Sequence, residues 1–136
     1  MKKLEKGLSH SVVIRVAPEN TALYIGSGDL EVFATPAMLA AMENAAMMAV
    51  ALALPEGSTT VGAEISSSHL KPSCVGSIIT ATALLTEVDG RRLTFEIEAA
   101  DAEGLVGKGS HVRYIVDREK FMAKLKNATT NPTDEN

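Results

Sequence analysis

Three side chains able to move protons or steady a developing oxyanion fall at fixed intervals: Thr35, Glu43 eight residues on, and His69 twenty-six further. Glu43 is the most informative. It interrupts residues 36 to 54, PAMLAAMENAAMMAVALAL, a run that otherwise carries no charge. A carboxylate on a buried helix is costly unless it is paired, coordinated or opened to a cavity. Desolvation of that kind is also how enzymes turn carboxylates into bases and acids. The plainer alternative is a glutamate that reaches water at the helix edge or pairs with a structural cation such as Arg113. Both readings stand on the residues alone.

His69 shares strand parity with Val61, Ala63 and Ile65, so it is expected to point into the core at the end of a strand. A lone inward histidine is more often structural than catalytic; its combination with Glu43 and the Thr35 hydroxyl is what raises it. Thr35 precedes Pro36, the pattern of a helix start, and capping alone would explain it. Free amides at that start would also attract an oxyanion. Eight residues of straight helix span about 12 Å, so Thr35 and Glu43 cannot bond directly along one rod. Either residues 35 to 38 loop back or the substrate bridges the two. His10 and His111 have no acidic partner that spacing alone can supply. Cys74, just past Pro72, reads as inert. No metal-ligand spacing or phosphate-binding glycine loop is present, and Gly104-x-x-Gly107-x-Gly109 falls inside a strand pattern.

The elements that must position these residues follow from periodicity. Residues 10 to 16 read as a first strand and Ala22-Leu23-Tyr24-Ile25 as a short second one. A helix should run from Thr35-Pro36 to just before Pro55-Glu56-Gly57. Apolar on every side, it should be buried on every side. Residues 59 to 70 alternate, with Val61, Ala63, Ile65, Ser67 and His69 on one face. Residues 77 to 88 form the next strand, and Asp89-Gly90 signals a type I′ hairpin. Its partner places Leu93, Phe95, Ile97 and Ala99 on one face. Asp101-Ala102-Glu103-Gly104 turns into a last strand, where Gly107 and Gly109 suggest a bulge or close backbone approach. Residues 117 to 126 read as a short amphipathic helix, and residues 127 to 136 as a polar, disordered tail.

The fold class is therefore α+β: a curled antiparallel sheet around one long central helix, in a single domain over residues 1 to 126. One sheet covers only part of a helix apolar all round, so a homodimer is expected to close the remainder. At 136 residues and net charge −4, the chain offers no basic surface for nucleic acid. The single cysteine forbids an internal disulfide and fits a reducing compartment. The basic start lacks an apolar run after it, so no signal peptide is expected and the cytoplasm is the default. Residues 36 to 54 approach the length of a membrane span, but Glu43 and Asn44 near the middle argue against one.

The chain resembles hotdog-fold thioesterases, and within them the fluoroacetyl-CoA thioesterase-like group. The resemblance rests on Val32-Phe33-Ala34-Thr35, Met42-Glu43, Gly62, His69, Gly90-Arg91-Arg92-Leu93, Gly107-x-Gly109-x-His111-x-Arg113 and Glu119-Lys120-Phe121. It implies that Thr35, Glu43 and His69 are the catalytic set, both family spacings being kept without a gap. It implies substrate-binding positions at Gly62 and Arg113, dimerisation through the sheets, and hydrolysis of small acyl-CoA thioesters with no metal or other cofactor. Glu43 would be general base or nucleophile, His69 would shuttle protons, and Thr35 would supply its hydroxyl. The fluoroacetyl-specific enzyme carries phenylalanines in a lid before this motif; Gly26-Ser27-Gly28-Asp29-Leu30 has none. Short or medium acyl-CoA is thus the expected substrate. Cations available for the CoA phosphates are Lys71, Arg91, Arg92, Lys108, Arg118 and Lys120. A non-catalytic hotdog domain that binds acyl-CoA is the rival reading.

Overall fold

The computed structural model describes residues 3 to 129. Five antiparallel strands, β1 (Ser9–Arg15), β2 (Ser58–His69), β3 (Ile78–Asp89), β4 (Arg92–Asp101) and β5 (Gly104–Asp117), form one sheet in the order β1-β3-β4-β5-β2. Helices α1 (Ala22–Ile25) and α2 (Thr35–Ala51) lie between β1 and β2, and α3 (Arg118–Thr129) follows β5. The sheet curls around α2, which touches all five strands.

Small residues on both layers let helix and sheet approach closely. Met38, Ala41, Met42, Ala45, Ala46, Ala49 and Val50 form one buried stripe of α2. They share a core with Ala81, Ala83, Leu85, Leu93, Phe95, Ile97 and Ala99 of β3 and β4. The expected all-round burial does not hold within one chain: Ala40, Asn44 and Met48 line the opposite, exposed side of the helix. A 3.6-residue repeat can bury only one stripe against a single sheet.

Other departures have local causes. Ala22-Leu23-Tyr24-Ile25 is helical, not a strand, because its ends are capped. Thr21 Oγ1 accepts from the Tyr24 amide at 3.3 Å, and Gly26 closes the turn at φ 90°. The β3–β4 turn has Gly90 and Arg91 at its centre, with Asp89 opposite Arg92. Among the described residues only glycines take positive φ, Gly90 included at 61°, which is the pattern of a type II′ turn, not type I′. Helix α3 extends through Thr129, so residues 127 to 129, expected in a tail, are helical; residues 130 to 136 lie outside the described residues.

The departure that matters most is in β2. Its register shifts between Gly62 and Glu64, so one extra residue reverses parity there. Thr60 and Gly62 face inward before the bulge, opposite Ile115 and Arg113; Ile65, Ser67 and His69 face inward after it. Val61 and Ala63, expected on the inner face, are not on it. Period-two counting across residues 59 to 70 cannot detect an inserted residue. Gly107 and Gly109 confirm the close approach: a Cβ on Gly107 would sit 2.6 Å from Met38 Sδ, and one on Gly109 would overlap the Ser66 carbonyl.

Candidate functional site

Thr35 enters α2 along a fixed path. The Phe33 amide donates to Ser73 O at 2.9 Å and the Ala34 amide to Asn20 O at 2.8 Å, with Phe33 and Ala34 both buried. The cap position is Ala34, which has no side-chain acceptor, so Thr35 is already the first helical residue. Its hydroxyl is therefore free of the capping role expected for it. It pairs with His69 Nδ1 at 2.8 Å. His69 ends β2 opposite Gly107, its ring meeting the edge of Phe33 at 6.2 Å. Burial lowers its pKa below the ordinary value, favouring neutral imidazole, the form able to accept a proton. His69 Nε2 is buried and has no partner among the described residues. Thr35 and His69 open on a concavity of about 380 Å³, also lined by Ser27, Phe33 and Lys71.

Glu43 is elsewhere. Its side chain is 41 % exposed and faces Gly62 and the two inward residues of β5, His111 and Arg113. Arg113 NH1 lies 3.7 Å from Glu43 Oε2, and His111 Nε2 lies 3.9 Å from the same oxygen. Each nitrogen of the guanidinium has a further partner: Nε donates to Thr60 Oγ1 at 2.8 Å, NH2 to Thr60 O at 3.0 Å, and NH1 is 3.2 Å from His111 Nε2. Burial lowers the Arg113 pKa and the Glu43 carboxylate opposes that; an arginine stays charged in either case. Glu43, Gly62 and His111 line a smaller concavity of about 160 Å³.

The expected set thus divides in two within one chain. Thr35 and His69 form a pair on one concavity, while Glu43 joins Arg113 and lines another. Helix α2 is continuous from Thr35 through Glu43, which separates them by about 12 Å along its axis. Glu43 lies at the margin of the buried stripe, partly exposed and beside Arg113, which is the plainer of the two readings its sequence allowed. Gly62 and Arg113 do meet Glu43. His111 and Thr60 were not anticipated. The available signal was His111-x-Arg113, since period two puts both on one face of β5.

Of the cations named for CoA phosphates, Lys71 pairs with Asp101, and Arg92 lies near Glu64 and Glu87. Arg91 and Lys120, with Lys124, surround a concavity of about 430 Å³ beyond the Ser58 end of β2, beside Ile115 and Phe121. Cys74 is exposed, 3.5 Å from Ser77 Oγ. No helix among the described residues is long and apolar enough to cross a membrane.

Comparison with known proteins gives a consistent result. The family described as fluoroacetyl-CoA-specific thioesterase matches residues 16–119. A fluoroacetyl-CoA thioesterase from Streptantibioticus cattleyicolor is 38% identical over 99 residues, covering 73% of this chain and 71% of that protein. The crystal structure of a mutant fluoroacetyl-CoA-specific thioesterase superposes with TM-score 0.87 at 31% identity, covering 95% of this chain and 100% of that one. A Thermus thermophilus member of the thioesterase superfamily gives TM-score 0.86 at 25% identity, covering 95% and 96%.

Proposed function

The chain belongs to the fluoroacetyl-CoA-specific thioesterase family, and from that premise we propose that it hydrolyses short and medium acyl-CoA thioesters in a site shared between two copies. The observation that carries the reading is the pairing of Thr35 with His69 at the uncapped start of α2, with a half-exposed Glu43 turned toward a different opening. Each half is incomplete alone. A homodimer completes both.

The free edge of the sheet supports this arrangement. Strand β2 is a 12-residue edge strand whose only acidic or basic residue apart from His69 is Glu64, so charge does little to block pairing. Two copies of β2 can pair antiparallel about a two-fold axis. An axis between Ile65 and Ser66 sets Gly62 opposite His69 of the partner subunit. Glu43, which touches Gly62, then faces the pair at the partner's Thr35. The exposed side of α2 is covered in the same step.

In such a site the thioester carbonyl lies at the start of α2, where unpaired amides and the positive end of the helix dipole favour the oxyanion. The Thr35 hydroxyl donates a further hydrogen bond. Glu43 acts as base on water, and the proton it takes reaches the departing CoA thiolate by way of His69. Alternatively, Glu43 attacks the carbonyl carbon itself, the thiolate leaves, and water then hydrolyses the resulting anhydride and supplies the thiolate's proton by way of His69. Single-turnover hydrolysis in ¹⁸O-water identifies the nucleophilic route when label enters Glu43, which happens only if water attacks the Glu43 carbonyl of an anhydride. The CoA phosphates fall to Arg91, Lys120 and Lys124, and CoA enters as part of the substrate, with no metal required. A soluble cytoplasmic enzyme fits the single cysteine.

The loop of residues 26 to 30 lacks aromatic rings, although Tyr24 stands 69% exposed on α1 just before it. A mouth without a fixed ring should admit several acyl groups, and one methylene in an apolar pocket discriminates only about 10- to 200-fold. The test is thiol release across acetyl-, fluoroacetyl-, butyryl- and octanoyl-CoA, with Glu43→Gln as control. Turnover of several substrates, cut to a small residual rate by Glu43→Gln with binding retained, is expected. Undiminished turnover in Glu43→Gln, or no turnover of any acyl-CoA, would overturn the reading.

A further inference from the structure

His111 is 1% exposed yet belongs to neither the pair at Thr35 nor the packing core alone. Its Nδ1 lies 2.6 Å from the Glu64 carbonyl. A carbonyl only accepts, so Nδ1 carries the proton and Nε2 presents a lone pair. That lone pair meets Arg113 NH1 at 3.2 Å. With Nε and NH2 committed to Thr60, NH1 is the nitrogen left to reach Glu43. Glu64 is the first residue of β2 back in register after the bulge, opposite Val112. The Phe95 ring, 6.2 Å away, packs beside the imidazole.

We propose that His111 is a positioning residue: as a neutral imidazole it turns the Arg113 guanidinium so that NH1 steadies the Glu43 carboxylate. The proposal rests on the thioesterase reading and names a further residue for the same site. A buried guanidinium needs an acceptor for each N–H it cannot show to water. A second carboxylate in place of His111 would neutralise Arg113 and weaken its hold on Glu43; an apolar residue would leave a buried NH1 hydrogen without an acceptor. A neutral imidazole avoids both. Burial acts first, and the Arg113 charge adds to it, in lowering the His111 pKa, while the Glu64 carbonyl and Glu43 oppose them. Protonation would turn an Nε2–H toward Arg113 and break the contact.

Two near-isosteres separate the two ring contacts. His111→Gln can place an amide oxygen near the Nε2 position and keep the acceptor for Arg113. His111→Asn retains only a donor near Nδ1. We expect kcat of His111→Gln within about threefold of wild type, and that of His111→Asn lower by roughly 10- to 100-fold with KM little changed, since displacement near 1 Å costs about that much. In a Glu43→Gln background, His111→Asn should cost nothing further, because its effect passes through Glu43. A merely structural histidine would lower both backgrounds by the same factor, and that result would overturn the proposal, as would wild-type kcat in His111→Asn. A readout independent of turnover is ¹⁵N NMR of the imidazole at pH 7. Protonated Nδ1 with bare Nε2 is expected; an Nε2–H tautomer or an imidazolium refutes the proposal. An inactive wild type showing the expected tautomer would instead refute the thioesterase reading.

Discussion

Replacing Gly62 by alanine adds one methyl group at the point where β2 meets the Glu43 carboxylate. An ideal Cβ there would lie 2.7 Å from Glu43 Oε2, and 3.4 Å from both Arg113 NH1 and His111 Cε1. The latter two are tight contacts that small adjustments relieve; the first is not. The carboxylate must retreat by about 0.7 Å or more to regain ordinary van der Waals separation. It can do so, being at the end of a flexible side chain that is 41% exposed. Gly62 is not among the positive-φ glycines, so alanine fits the backbone. Removing glycine's extra freedom from the unfolded chain stabilises by about 0.4 to 1 kcal/mol, which offsets the residual crowding. The Tm should therefore stay within about 4 °C of wild type. The rate should not. A shift of this size in a reacting group costs roughly 10- to 100-fold, expected in kcat with KM moved by less than about threefold. Thiol release from acetyl-CoA, beside a thermal melt, measures both. A Gly62→Ala variant with unchanged kcat would refute the placement of Glu43 against β2; loss of folding would refute the claim that the carboxylate absorbs the strain.

Three further outcomes follow. Burial lowers the pKa of both His69 and His111 below 6.5, so the unfolded chain binds protons more readily than the folded one as pH falls through that value. Stability should be full above about pH 7 and decline below it toward the depressed folded pKa values, seen as a lower Tm at pH 5.5 than at 7.5; a flat Tm would contradict this. Thr35→Ser keeps the hydroxyl that meets His69 and should stay within about tenfold of wild-type kcat, whereas Thr35→Val, with no hydroxyl to donate, should fall by about 100-fold. Equal rates in the two variants would remove the hydroxyl from the chemistry. Joint replacement of Arg91 and Lys124 by Glu should raise KM for acetyl-CoA at least about fivefold at low salt, yet leave KM for the acetyl thioester of N-acetylcysteamine unchanged. An equal rise for both substrates would place the CoA phosphates elsewhere.

How far the chain could be read without coordinates varied with the physics of each element. Strand β4 was legible because Leu93, Phe95, Ile97 and Ala99 alternate without interruption, and all four are buried. Helix α2 was legible from composition and its proline-marked ends, but not which stripe of it would be buried, since alanine and methionine surround it. Thr35 and His69 were identified, and their direct pairing depended on Ala34, not Thr35, taking the cap. The inward side of β2 was read correctly at Ile65, Ser67 and His69 but not at Val61 and Ala63, because the bulge after Gly62 reverses parity without leaving a compositional mark. Helix α1 was hidden by β-favouring residues whose caps, Thr21 and Gly26, decided the matter. His111 and Arg113 were separately visible; that they share a face with Gly62 required the register between β2 and β5.

Subunit complementation tests the shared site most directly. Glu43→Gln and His69→Ala homodimers should each keep only a small residual rate, every site lacking one half. Mixed and allowed to exchange subunits, they form heterodimers in which one site receives Glu43 from one chain and His69 from the other, both intact. With random exchange half the dimers are mixed and each carries one working site of two, so activity should return to about one quarter of wild type. Exchange confirmed by mass spectrometry with no regained hydrolysis would contradict the account, because it would mean that Glu43 and His69 act within a single chain.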